Sequence, residues 1–299
     1  MAARRHLVIA CIVVTSSCQG AAKNTSADNP QPSTTTSQGS VYLAYAEQGG
    51  GRPFLGFYGN GRLVAMSGWS QGSSDSFRRA VASILSAFPV GHEFLATSDS
   101  GKEVSVRIDS VNPEAEYYEE VLTVSYPGIK RPPGLSLFTT DSSVRIQPVP
   151  HRPASLTREQ DSVLTARFRA IWDQALRERE PEDTLALYNL ATPQVHDIGS
   201  VLTVLYPVII TWPGRYRDDR GSAFFIYSKS EGKIVFDSFG HPEWAPVDSS
   251  VMLMVRPALY FRVGTDSTVY FFGDHQGGWE SAGMAIHELK SGRVILHNY

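Results

Sequence analysis

Residues 54–66 read FLGFYGNGRLVAM. Two apolar runs flank Asn60-Gly61, the pair favoured by a two-residue type I′ turn because both central positions need positive φ. The stretch predicts a β-hairpin. Upstream, VYLAYA at 41–46 supplies another strand. Downstream, the return arm runs into GWSQG at 68–72 and then into a helix. Phe77, Val81, Ile84, Leu85 and Phe88 stand at i, i+4, i+7, i+8 and i+11, a continuous apolar stripe. Ser73, Ser74 or Asp75 caps this helix, and Pro89 ends it.

The hairpin governs the reading of GWSQG. G-x-S-x-G is the pattern of a serine-hydrolase nucleophile elbow, with Ser70 as the nucleophile. An elbow needs a central strand of a mainly parallel sheet, a sharp turn and an immediate helix. Here the incoming strand is the return arm of a hairpin. The two dozen or so folded residues before it are too few for the preceding βα units. The helical stripe also starts late, which makes GWSQGSS a polar loop. Asp274 with His287 or His297 would satisfy the chain order of a triad, as would many other pairs.

The rest of the chain extends the antiparallel pattern. HEFLAT, EVSVRI, EVLTVSY, LSLFTT and SVRIQPV read as strands, and residues 150–153 as a linker. A second helix begins near Leu156, with Thr157 and Gln160 at capping-box spacing. Val163, Leu164, Phe168, Ile171, Trp172 and Leu176 form its predicted buried face, and Pro181 ends it. DTLALYN fits a helix or a strand. Eight strand-like runs follow, joined by Gly-containing turns such as 230–233 and 291–292. Residues 121–134, VLTVSYPGIKRPPG, echo 201–214, VLTVLYPVIITWPG, at nine of fourteen positions. The expectation is an α+β fold: a mainly antiparallel β-sheet with two amphipathic helices, in two diverged halves at 41–150 and 151–299. The tyrosine common to both copies is expected in the core.

With 42% hydrophobic residues the chain has ample material for a core. A net charge of −3 and no clustered Lys/Arg face argue against a nucleic-acid partner. The N-terminus reads MAARRH, LVIACIVV, TSSCQG. A basic region, a short apolar region and small residues make a secretory signal, too short to span a bilayer. TSSC at 15–18 resembles the lipobox of bacterial lipoproteins, although Thr15 stands where that motif has an aliphatic residue. The resemblance implies cleavage after residue 17 and a lipid such as palmitate on Cys18. It also implies a membrane partner through that anchor and, with Gln19 rather than Asp, the outer membrane. Ordinary cleavage after Ala22, giving a secreted or periplasmic protein, is the alternative. Residues 19–40 are poor in apolar side chains and rich in Ser, Thr, Gln and Pro, the composition of a disordered tether. Cleavage before Cys18 leaves no thiol for a disulfide, nucleophile or thiolate metal site downstream.

Two further segments carry candidate chemistry. FDSFGHPEWAP at 236–246 holds His241, Glu243 and Trp244. GDHQGGWE at 273–280 holds His275 and Trp279, and His287 follows. These loops suit a peptide, glycan or small-molecule ligand through aromatic faces and polar edges. A metal held by His241, His275 and His287 with a carboxylate is a second option. No ligand spacing is met, since Ser291 occupies the histidine position that H-E-x-x-H would need. No cofactor is expected. The sequence points to a non-catalytic binding or structural module of the cell envelope. The alternative is an envelope hydrolase using Ser70 or the C-terminal histidines.

Overall fold

The hairpin forms as Asn60-Gly61 requires. In the computed structural model, φ is 52° at Asn60 and 74° at Gly61. The structure describes residues 40–47, 49–66, 75–115, 120–177, 187–211, 219–240, 254–276 and 283–297; the side chains of 75–77, 175–177, 219, 254–256 and 274–276 are outside that description. Strands β1 (Val41–Glu47), β2 (Gly50–Gly59) and β3 (Arg62–Ala65) precede α1 (Asp75–Ser86). Then come β4 (Glu93–Ser98), β5 (Glu103–Val111), β6 (Leu122–Ser125) and β7 (Ser136–Thr139).

These strands run in the order β1-β7-β4-β5-β6-β2-β3, and β1 also pairs with β2. That extra pairing closes the first six strands into an antiparallel barrel, and β3 extends it as a free edge. Alternation along the strands sends one set of side chains inward. Tyr42, Ala44, Ala46, Leu55, Phe94, Val106, Ile108, Val124 and Phe138 share one buried cluster. Val81, Ile84, Leu85 and Phe88 of α1 join it, so the predicted stripe is the face that covers the barrel interior. The ladder shifts register between Tyr42 and Ala44 and between Ile108 and Ser110. Such bulges bend strands enough to help so small a barrel close.

The second half adds β8 (Ile146–Pro148), β9 (Arg152–Pro153), α2 (Arg158–Arg177), β10 (Leu187–Leu190), β11 (Gln194–Ile198) and β12 (Val201–Thr211). It continues with β13 (Asp219–Ser228), β14 (Lys233–Gly240), β15 (Met254–Val263), β16 (Tyr270–Gln276), β17 (Gly283–Glu288) and β18 (Val294–His297). One sheet runs β14-β13-β12-β11-β9, with β10 also on β12; the other runs β18-β17-β16-β15-β8. The two sheets face each other through Ile198, Val201, Phe224 and Ile226 on one side and Tyr260, Phe271 and Leu289 on the other. Thr203 Oγ1 and Tyr260 Oη bond across this interface at 2.8 Å. The outer face of the β11–β14 sheet packs under Leu164, Phe168, Ile171 and Trp172 of α2. The outer face of the β15–β18 sheet, with Phe261, Phe272, Ile286 and Leu296, packs on Leu43, Tyr45 and Phe54 of the barrel wall. The chain is therefore α+β and mainly antiparallel, with two helices among the described residues.

Several details differ from expectation. Residues 150–153 are more than a linker, because Arg152 and Pro153 pair with Asp197 and His196 as an edge strand. DTLALYN contributes β10, a strand. Val163 is 40% exposed and lies off the buried face of α2. The capping box is present: Thr157 N donates to Gln160 Oε1 at 2.9 Å, and Gln160 N donates to Thr157 Oγ1 at 3.2 Å. Pro207 sits inside β12, where a missing N–H would normally break a ladder. Its carbonyl accepts from Ala191 N, so its nitrogen faces the same side. There β12 changes partner from β11, ending at Leu205, to β10, starting at Val208. The proline thus occupies the gap.

The 121–134 and 201–214 echo keeps its facing. Leu122, Val124 and Tyr126 point into the α1-covered cluster, and Leu202, Val204 and Tyr206 into the α2-covered one. Both tyrosines are buried, as expected, and each phenol has a partner. Tyr126 Oη bonds with Ser136 Oγ at 2.9 Å, and Tyr206 Oη donates to Asp161 on α2 at 2.7 Å. The neighbours differ, since β6 lies between β5 and β2 whereas β12 pairs with β10, β11 and β13. A second likeness appears only in three dimensions. The β13–β14 and β17–β18 hairpins share a register shift after Ile226 and Ile286. Each turn closes with an i+4 to i bond, Gly232 N to Ser228 O and Gly292 N to Glu288 O. Both glycines hold positive φ, 64° and 69°.

Candidate functional site

Ser70 and the rest of GWSQG lie outside the described residues. The strand that leads into them is described. Among the described residues β3 pairs only with β2, antiparallel, at the edge of its sheet. A nucleophile elbow needs the opposite, a central strand of a mainly parallel sheet.

His241, Glu243, Trp244 and Trp279 also lie outside the described residues. Their attachment points do not. The 241–253 connection leaves Gly240 at the end of β14 and returns at Met254. Met254 stands opposite Gln276, and His275, whose side chain is outside the description, stands opposite Gly283. The connection carrying GHPEW therefore starts from β14 and ends on β15, beside the strand, β16, from which the connection carrying HQGGW starts. In the facing sheet, Ile210 pairs with Asp219 and Leu187 with Thr211, so connections 212–218 and 178–186 share one end as well. Contacts between the sheets align these ends. Thr203, near the start of β12, bonds to Tyr260, near the end of β15. Gly292 abuts Phe236. Connections 199–200, 229–232, 264–269 and 289–293 thus lie at one end of the sandwich, and connections 178–186, 212–218, 241–253 and 277–282 attach at the other.

His287 has a different setting. It is 1% exposed, between the two sheets. Its ring lies flat on Phe271, with centroids 4.5 Å apart and planes within 7°. Nδ1 sits 2.8 Å from the Gly292 carbonyl, which can only accept, so Nδ1 carries the proton and donates. Burial pushes its pKa down to about 4; the Gly292 bond opposes this shift and His297 adds to it. His287 is a core imidazole, neutral at pH 7, and not an exposed ligand or base. His297, the other triad candidate, is half-buried on β18, and burial lowers its pKa too. Among the described residues no three His, Cys, Asp or Glu side chains converge on a metal-sized site.

One histidine contact has no sequence signal. His151, just before β9, and His196, in β11, bring their rings to 4.7 Å centroid to centroid. Tyr260 touches both, at 5.4 and 6.4 Å. Burial first, and the His151 charge second, lower the pKa of His196. Neither histidine lies in a recognisable motif, and only the β9–β11 pairing brings them together. A cleft of about 510 Å³ lies between the edges of β3 and β18 and is lined by Arg62, Thr268, Tyr270, Glu288 and Arg293. It contains none of the predicted site residues.

Comparison with protein-family models, with curated proteins and with solved structures found no match.

Proposed function

We propose that this chain is a cell-envelope lipoprotein, held to the outer membrane through lipid on Cys18, whose folded body is a non-catalytic binding module. The observation that carries the binding half is that two connections attach at one end of the sandwich. GHPEW follows β14 of one sheet and HQGGW follows β16 of the facing sheet, and the 241–253 connection returns into β15 beside β16. A rigid two-sheet scaffold with loops gathered at one end is a common arrangement for recognition. Trp244 and Trp279 supply aromatic faces, and His241, Glu243 and His275 supply polar edges, a set suited to a glycan or peptide. The anchor half rests on the basic and apolar N-terminal segment, TSSC at 15–18 and the polar 19–40 tether.

The binding half is tested by screening the purified mature protein against envelope glycans and peptides. The expected result is a ligand whose affinity falls about tenfold or more, at least 1.4 kcal/mol, in Trp244→Ala and Trp279→Ala. A ligand bound equally well by the double variant would contradict the assigned location. A fluorophosphonate probe tests the non-catalytic half. The purified protein should stay unlabelled, and labelling abolished by Ser70→Ala would make it a serine hydrolase.

A further inference from the structure

His151 and His196 belong to different segments and meet at the margin of the β11–β14 sheet. Register holds them there: Pro153 pairs with His196 and Arg152 with Asp197. His151 is exposed and His196 half-buried, so the pair has an open side and a supported side. The support is Tyr260, whose hydroxyl is tied to Thr203 across the sandwich.

The spacing has chemical meaning. A transition metal sits about 2.0–2.1 Å from an imidazole nitrogen, hence about 3.2 Å from the ring centroid once the ring radius is added. Two centroids 4.7 Å apart then subtend about 95° at a shared metal, given that metal–nitrogen length. That is the angle between cis ligands in a tetragonal or octahedral shell, and it is short of the tetrahedral value. His151, being exposed, is able to turn either ring nitrogen toward the common point.

We propose that His151 and His196 form a binding site for a divalent transition-metal ion, Cu²⁺ foremost, whose remaining positions are filled by solvent. Imidazole nitrogen suits Cu²⁺, which also heads the divalent affinity order. Asp197 does not enlarge the donor set, because its carboxylate binds Lys229 Nζ at 2.8 and 3.0 Å. Two protein ligands predict an accessible, exchangeable site rather than a closed structural one.

The test uses untagged, chelator-treated full mature protein. Cu²⁺ is titrated to one equivalent, and electron paramagnetic resonance is combined with competition against a chromophoric chelator. The expected result is an axial spectrum with nitrogen coupling, and at least a tenfold loss of affinity in His151→Ala and in His196→Gln. Because His151 is exposed, its variant keeps the fold, which far-UV circular dichroism verifies without metal. Wild-type affinity no higher than that of His151→Ala would overturn the proposal. That outcome would mean the rings merely pack together, with any residual copper held by other histidines.

Discussion

Acid destabilises this fold in part through one buried ring, His287. His287 is 1% exposed, stacked on Phe271 and bonded to the Gly292 carbonyl. Its folded-state pKa is pushed from 6.5 down to about 4. Between those values the unfolded chain takes up a proton that the native state refuses, so stability falls as pH drops from about 6.5 to about 4. A depression of roughly 2.5 units at about 1.4 kcal/mol each, less the half-titration at the lower limit, removes about 3 kcal/mol. That is a large share of a typical domain stability of about 5–15 kcal/mol. His287→Phe keeps a flat ring against Phe271 and cannot titrate. At pH 7 it should cost about 1 kcal/mol for the lost bond to Gly292. Urea unfolding followed by tryptophan fluorescence at pH 7 and pH 4 reads both effects. Wild type should lose about 3 kcal/mol more than the variant over that range, carboxylate effects cancelling in the comparison. If the two proteins lose stability in parallel, His287 does not titrate as its burial implies, and the assigned core position is wrong.

The two equivalent hairpins make a matched pair of tests. Gly232→Ala meets only the positive-φ penalty, about 1–2 kcal/mol, because its nearest outside atom is Tyr227 Oη at 3.9 Å. Gly292→Ala adds a collision with the Phe236 ring and should cost about 1–3 kcal/mol more; equal losses in thermal or urea melts would refute the tight sheet contact at Gly292. Thr157→Ala breaks the reciprocal box at the start of α2 and should lower stability by about 1 kcal/mol; an unchanged urea midpoint would show that α2 needs no cap.

Local signals in the sequence were reliable where local physics decides the outcome. Asn60-Gly61 tolerates positive φ, and the hairpin formed. The α1 stripe and the Thr157–Gln160 box likewise needed only neighbours along the chain. Short segments were less legible. LALY fits either periodicity over four residues, and it became β10 through pairing with β12. Arg152 and Pro153 resemble a linker until β11 lies alongside them. Val163 fits a helical stripe drawn generously, yet it falls just outside the arc that α2 buries.

The assembly of elements was beyond local pattern. Strands buried on both faces, such as β12, lose the alternation that would say which face meets which layer. Barrel closure depends on β1 finding both β2 and β7, a matter of distant pairing. The same limit applies to candidate chemistry. In the sequence His287 stands near His275 and several carboxylates and so enters a candidate metal set, although burial beside Phe271 makes it a core residue. His151 and His196 stood in unremarkable contexts, and tertiary pairing made them neighbours.

The lipid anchor proposed on Cys18 has a direct measurement. Cells producing the full-length chain are fed an alkyne fatty acid, and the protein is isolated, coupled to a fluorophore and weighed intact. A Cys18 anchor predicts fluorescence and a mass for a chain beginning at lipidated Cys18, with both lost in Cys18→Ala. An unlabelled wild-type chain beginning at a residue after Cys18, such as Lys23, would contradict it.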